Sequence, residues 1–587
     1  MTYRAPVREM LFAMNHAGGL MDGIEHGIYA DLADGAAEAL LDEAAKFAEN
    51  RLAPINRNGD LNGAKLVDGV VKTSPGWSET YTQWVESGWN SVTASPDHGG
   101  MGLPHIINAG CTEMWNAANM AFALCPLLGF GAIDAVESHG TDELKSVVLA
   151  KMISGEWTAT MSLTEPSAGS DLNAVRTRAE RHADGTYRLF GQKIFITYGE
   201  HDLTNNIVHL VLARLPDAPP GTRGISLFVV PKLLPTTGER NDVVLAGLNH
   251  KMGYRGTVNT VLSFGERDGA VGWLVGAPHQ GLAAMFHMMN EARVAVGAGA
   301  VALGYTGYLK SLDYARTRTQ GRPPGAKDPS APPVPLVEHA DVRRMLLAQK
   351  AFVEGGLGLV LYCGKLLDEE RTAETPEARA HAHLLLEVLT PIAKSWPSQY
   401  CLQANDLAIQ VHGGYGYTRE YDVEQHYRDN RLNPIHEGTH GIQAVDLLGR
   451  KVLMAGGAGL IALADAVRET VAAALAVGGE AADLGAELDG ALTRLVDATA
   501  LIHAADVDPA TRLANASVYL EAAGHVVVAW VWLGQFLATA DRDDPFHQGK
   551  RQAARYFYRF ELPQTGPKFD LLARLDPTTV DTDPEWF

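Results

Sequence analysis

The spacing of apolar and polar positions changes texture along the chain. Over residues 1–157 the apolar positions recur mostly at helical intervals. The stretch "GAAEALLDEAAKFAENRLAPI" predicts an amphipathic helix that stops at Pro54, and "GTDELKSVVLAKMISGEW" predicts another that starts at a Thr-Asp cap. Beyond Trp157 the runs shorten. "TYRLFGQKIFITYG", "NIVHLVLARL", "ISLFVVPKLL" and "TVNTVLSFGE" are β-branched and partly alternating, with Gly and Pro between them, so residues 158–278 are expected to form a compact β domain. Helical spacing returns in "GLAAMFHMMNEARVAVGAGAVALGYTGYLKSLDYARTRTQ". The following "GRPPGAKDPSAPPVP" is too rich in Pro to continue it. Helices resume at "EHADVRRMLLAQKAFVEGGLGLVLY" and complete a unit over residues 279–455; an Ala-rich helical tail occupies 456–587. The expected fold class is α+β, mainly α, in the order helical, β, helical, helical.

Two stretches need arbitration. Residues 522–540, "AAGHVVVAWVWLGQFLATA", carry no acidic or basic residue and approach the length of a membrane span. They hold His525 and Gln535 and lack a strong basic flank, so a buried helix is favoured and no membrane span is expected. "GAGAVA" matches a dinucleotide-loop pattern but lies inside a helical run, without a preceding strand; small residues for close helix packing explain it better.

Composition narrows the partners. With 49 basic and 69 acidic residues the 587-residue chain carries a formal charge of -20, which argues against nucleic acid and anionic membrane as partners of the whole surface. Cys111, Cys125, Cys363 and Cys401 are scattered without a CxxC pair, which fits a reducing compartment, and the opening "MTYRAPVREM" has no apolar h-region, so a cytoplasmic location is expected.

Three stretches carry candidate chemistry. "PIHEGTHGIQ" places Glu437 in a Gly-rich bend, where it is either a solvated turn residue or a base. "MSLTEPSAGSDL" opens the β region with hydroxyls and small residues that can present N–H and O–H groups to a polar ring or phosphate. "FIT" adds the aromatic face of Phe195 and the hydroxyl of Thr197 at a strand end. Each one singly is also compatible with ordinary structure.

Together, "LTEPSAGSD", "GQKIFIT", "HKMG", "RTRTQG", "QVHGGYGY" and "HEGTHGIQ" resemble, in the same order, the acyl-CoA dehydrogenase family. The opening "YRAPVREM", the insert after Arg318 and the helical tail resemble its long bacterial branch, which includes 3-methylmercaptopropionyl-CoA dehydrogenase. The resemblance implies a helical N-terminal domain, a middle β-barrel domain and a four-helix bundle, with an extra C-terminal helical domain. It implies noncovalent FAD and an acyl-CoA substrate. Met161, Leu163, Thr164 and Ser170 would line the flavin, Thr164 and Thr197 would donate to its edge near N1 and N5, and Phe195 would lie against its face. Ser170 would also border the pantetheine channel, and Asn290 and Arg293 would hold the CoA end. Arg318 and Gln320 would reach the FAD pyrophosphate of a neighbouring subunit, although the family's Phe after that Gln is missing here. Gln410, Gly413 and Gly414 would close over FAD across the interface, and Thr439 and Gly441 would meet its diphosphate.

By the same resemblance Glu437 would remove the α-proton of the thioester while the β-hydrogen leaves as hydride to flavin N5, and the N–H of Glu437 would polarise the thioester oxygen. Gly438 and His436 would border the substrate. His436 stands where Tyr is frequent, either filling the wall, meeting polar substrate atoms or moving the pKa of Glu437. Glu291 precedes the alternative base position, occupied here by Ala292, and is expected to point about 100° away round the helix. The implied partners are electron-transfer flavoprotein and a second copy of the chain in a homo-oligomer, a dimer. An oxygen-using acyl-CoA oxidase, a DNA-binding flavoprotein and an inert CoA-binding scaffold are the competing classes; the negative charge argues against the second, and the retained Glu437 against the third. The acyl chain is left open.

Overall fold

A computed structural model describes the chain apart from Met1, Thr2, Ala326, Lys327, Pro329, Ala505 and Asp541, and apart from the side chains of Phe286, His287 and Met288. Three of those residues fall in the Pro-rich insert. In the N-terminal region, helix Ala36–Phe47 passes through a π turn, Ala48–Leu52, straight into helix Ala53–Asn62. Pro54 therefore does not end the helix as expected. It sits in the first turn of the next segment, where its missing N–H costs nothing. The Thr141 cap is formed as read, with Oγ1 accepting from the Leu144 N–H at 3.2 Å. The 35-residue helix His105–His139 is almost wholly buried and is kinked at Asn119, with Pro126 inside it.

The strands are β1 Lys65–Val67, β2 Val70–Lys72, β3 Trp157–Ser162, β4 Arg178–Arg181, β5 Tyr187–Thr197, β6 Asn206–Arg214, β7 Ile225–Pro231, β8 Val243–Leu248, β9 Asn259–Phe264 and β10 Ala270–Val275. The β1–β2 hairpin was not anticipated. Its Asp-Gly turn has φ of 50° and 78°, the positive pair that a two-residue hairpin loop requires. The large sheet runs β10-β7-β6-β4-β5-β9-β8, and β10 also pairs with β5, which closes five strands into a barrel. β3 adds parallel to β6. Strands β6 and β7 are buried on both faces except at Arg214, so their sequences read as near-continuous apolar runs. The long β5 serves β4 and β10 with its first half and β9 with its second, and its register with β9 breaks between Lys193 and Ile196.

Helices Gly281–Thr317, Ala340–Thr372 and Pro376–His412 form the bundle that faces the sheet domain's site. A Cβ on Gly297 would lie 1.9 Å from the Ala393 carbonyl, so "GAGAVA" is a close helix crossing, as read. The tail contributes helices Met454–Val477, Gly479–Ile502, Ala516–Leu537, Pro545–Tyr556 and Thr565–Ala573. Three helices, His105–His139, Ala340–Thr372 and Ala516–Leu537, are long and apolar enough to cross a membrane, and their most apolar windows are 72%, 83% and 83% buried within the protein. Trp532 in the last of them donates to the Ala351 carbonyl at 3.0 Å. Arg555, in the aromatic-basic run "RYFYRF", makes two 2.7 Å hydrogen bonds to Glu480.

Candidate active site

Glu437 lies in an irregular turn between helices Val423–Asn430 and His440–Gly449, with a left-handed backbone (φ 52°) followed by Gly438 at φ 86°. A non-glycine residue in that region is strained and persists only when its surroundings impose it. The surroundings are explicit. Gln443 Nε2 donates to the Glu437 carbonyl at 3.0 Å, and a Cβ on Gly438 would come within 2.6 Å of that same nitrogen. Lys394 Nζ donates to the carbonyls of Asn433 and Gly438. Thr439 caps the next helix, its Oγ1 accepting from Ile442 N–H at 3.3 Å. Among the described residues the Glu437 N–H has no acceptor, so it is free to meet a ligand oxygen.

The Glu437 side chain lines a cavity of about 140 Å³ together with Met161, Thr197, His436, Leu432 and, from the long buried helix, residues including Thr112 and Phe130. Burial raises its pKa above the usual carboxylate range, while the cations of Arg293 and Lys394 pull it back down. Arg293 is itself buried and paired with Asp446 at 3.2 Å. One expectation is corrected here. Glu291 does not point away but lines the same cavity. Its carboxylate is 3.5 Å from His105 Nδ1, whose pKa it raises against the effect of burial, and 3.9 Å from the Arg371 guanidinium, so it already has partners of its own.

His436 is fixed by a relay of amides. Asn405 donates to the Leu303 carbonyl, and Asn430 donates both to the Ala300 carbonyl and to Asn405 Oδ1. Asn433 Nδ2 donates to Asn430 Oδ1 at 2.9 Å, so Asn433 Oδ1 must accept, from Tyr254 O–H and from His436 at 3.0 Å. Two backbone carbonyls thereby select the Nε2–H tautomer. Burial, with Lys394 nearby, lowers the His436 pKa to about 3. The ring is neutral, so it does not act on Glu437 as a charge; what it offers the cavity is an Nδ1 acceptor.

The "LTEPSAGSD" loop is organised by a pair that sequence reading passed over. Lys193 and Glu165, both buried, meet at 2.8 Å. Glu165 also accepts from Arg176 N–H, Thr177 N–H and Thr177 O–H, and Lys193 also donates to the Leu163 carbonyl. Desolvation opposes the Glu165 charge, but Lys193 and these donors hold its pKa below the usual range. Above the loop, Phe195 stands at the register break of β5 with φ 59° and 63% of its surface exposed. A large aromatic held bare in a strained conformation beside the Thr197 hydroxyl suits a flat ring such as a flavin. Leu163 and Thr164 are half-buried at this edge, and Ser170 is exposed.

A second, open cleft of about 590 Å³ gathers Arg318, Gln320, Gln410, Gly413 and Gly414 with Tyr314 and Tyr415. Among the described residues it shares no lining residue with the Glu437 cavity. Asn290, expected beside the CoA, donates to Glu387 at 2.5 Å, and Glu387 in turn holds Lys451. Gly441 is exposed on the first turn of its helix. Lys394, Gln443, Glu165, Lys193 and the Asn relay are the residues that sequence reading missed; the one available signal was a lysine inside the apolar run "LLLEVLTPIAKSW".

Comparisons with known proteins agree along the whole chain. Family profiles match residues 35–156 (acyl-CoA dehydrogenase, N-terminal domain), 160–266 (middle domain), 279–453 (C-terminal domain) and 463–583 (acetyl-CoA dehydrogenase C-terminal like). The chain is 44% identical over 543 residues to the 3-methylmercaptopropionyl-CoA dehydrogenase of Ruegeria pomeroyi, covering 90% of each chain. It is 33% identical to the broad-specificity linear acyl-CoA dehydrogenase FadE5 of Mycobacterium tuberculosis, covering 99% of each. The fold matches that of Caenorhabditis elegans ACDH-11 in complex with C11-CoA (TM-score 0.78, 18% identity, covering 100% of this chain and 93% of that one). It also matches a Bacillus anthracis acyl-CoA dehydrogenase complexed with FAD (TM-score 0.75, 20% identity, 94% and 90%). With four family profiles in order and 44% identity over 90% of the chain, added to a carboxylate in a cavity and an exposed aromatic ring beside it, the chain belongs to the acyl-CoA dehydrogenase family.

Proposed function

We propose that the protein is an FAD-dependent acyl-CoA dehydrogenase that converts an acyl-CoA thioester to the trans-2-enoyl-CoA and passes the electrons to electron-transfer flavoprotein. The observation that carries this reading is Glu437, a carboxylate of raised pKa beside its own free N–H at the wall of a cavity. The carboxylate takes the α-proton, breaking the C–H bond, while the Glu437 N–H meets the charge that develops on the thioester oxygen. When bound, FAD supplies the hydride acceptor; Phe195 and Thr197 suit its ring. Similarity to an FAD-complexed dehydrogenase and to a CoA-complexed relative supports both ligands. The separate cleft around Arg318 supports a homodimer in which each chain completes its partner's FAD site.

The test is anaerobic mixing of the purified flavoprotein with a panel of acyl-CoA thioesters graded in length, followed by flavin absorbance. Bleaching by part of the panel, with reoxidation by electron-transfer flavoprotein, is the expected result, and the lengths that bleach define the acyl site. Stoichiometric peroxide in air would instead identify an oxidase. No bleaching by any thioester would overturn the reading.

A further inference from the structure

The turn that carries Glu437 must resist two opposing tendencies. Its backbone is in a strained region, and its carboxylate lies where burial disfavours charge. Lys394, on helix Pro376–His412, answers both from behind. Its side chain has no exposed surface. Its ammonium donates to the carbonyl of Asn433 at 2.8 Å and to that of Gly438 at 2.6 Å, one on each side of the base. A buried lysine normally takes a carboxylate as partner. This one has carbonyls, and the nearby anion is Glu437 itself. Burial lowers the Lys394 pKa to about 8, Glu437 raises it again and Arg293 lowers it.

The other groups facing this ammonium do not replace it. His436 is neutral and committed to Asn433. His440 lies against Ser395 Oγ at 2.7 Å, with Glu521 at 3.8 Å on its far side, and burial lowers its pKa. Arg293 is engaged by Asp446. Among the described side chains Lys394 combines two carbonyl contacts on the turn with a positive charge, whereas Arg293 acts on Glu437 through its charge.

We propose that Lys394 is the positioning residue of the catalytic base, clamping the Asn433–Gly438 turn through two backbone carbonyls and adding, beside Arg293, a positive charge behind Glu437. This inference rests on the assignment of Glu437 as base. Lys394→Met keeps the apolar stem and removes the donors and the charge. The holoenzyme variant should retain FAD and bind a non-oxidisable acyl-CoA thioether within about threefold of wild type, while flavin reduction slows about 10²-fold, as expected for a base misplaced by about 1 Å. The acid limb of the reduction rate should move to higher pH, because the lost cation no longer favours the carboxylate. A merely structural lysine would not move that limb. Lys394→Gln, which can donate to one carbonyl without charge, should recover part of the rate and none of the limb shift. If the Met variant yields no soluble flavoprotein, the limb of the Gln variant decides. An unmoved limb in either variant overturns the proposal. An active Glu437→Gln overturns the base assignment and the proposal with it; an inactive Glu437→Gln beside a wild-type-like Lys394→Met overturns the proposal alone.

Discussion

Glu437→Gln separates the proton acceptor from everything else the residue does. The substitution is nearly isosteric, and it leaves the turn intact because Gln443 and Lys394 hold backbone carbonyls, not the side chain. It also keeps the N–H that meets the thioester oxygen. Loss of a general base costs about 10²–10⁴-fold, less when water or a second base can substitute. The acyl chain is expected to displace water from the cavity that Glu437 lines, which removes the ready substitute for the carboxylate. The other carboxylate in the cavity, Glu291, is held by His105 and Arg371. The upper end applies, about 10⁴-fold, or about 5.4 kcal/mol of barrier. In anaerobic stopped flow, wild type should bleach quickly, and the variant should show only the spectral shift of binding. Glu291→Gln, the matched control, should bleach at a rate within a few-fold of wild type. The wild-type rate should fall as pH drops through the Glu437 pKa, which burial places above the ordinary carboxylate range, and the Gln variant should lack that limb. Rapid bleaching by Glu437→Gln would refute the assignment, and loss of activity in Glu291→Gln alone would move the base to that residue.

Other residues give independent checks. Lys193→Met strands Glu165 in the core and should destabilise the fold by about 3–5 kcal/mol, read as a shift in urea midpoint; a change below about 1 kcal/mol would refute the role given to the pair. Arg318→Ala removes a charge suited to phosphate from the open cleft and should purify partly without FAD, with excess FAD restoring activity; full flavin retention would detach that cleft from the cofactor. Glu113, whose pKa burial and then Glu9 raise to about 8, is protonated in the fold at pH 6 and ionised in the unfolded chain. Its raised pKa makes stability fall as pH rises from about 4.5 to 8, by up to about 1.4 kcal/mol per pH unit. The melting-temperature difference between Glu113→Gln and wild type should therefore grow in favour of the variant from pH 5 to pH 8, and a constant difference would refute the assignment.

Where the sequence was legible, a local rule was at work. The Thr141 cap and the short apolar strands needed only neighbours along the chain, and "GAGAVA" showed its nature by lacking a strand before it. Pro54 misled because a proline can end one helical segment or begin the next, and only the π turn over Ala48–Leu52 distinguishes them. Glu291 misled for a related reason: an angle round an ideal helix says where a side chain starts, not which cavity its long stem reaches.

The sequence by itself determined the order of the four regions, the family likeness and Glu437 as the base candidate, because those rest on residue types at fixed spacing. Only the tertiary structure decided what makes Glu437 usable. The Lys394 clamp spans about 40 residues of chain between its donor and its acceptors, the tautomer of His436 is set by carbonyls at Ala300 and Leu303, and the Lys193–Glu165 pair joins a loop to a strand. Each is a contact between segments far apart in the chain, and hydrogen bonds and desolvation depend on distance in space, which spacing along a sequence does not encode.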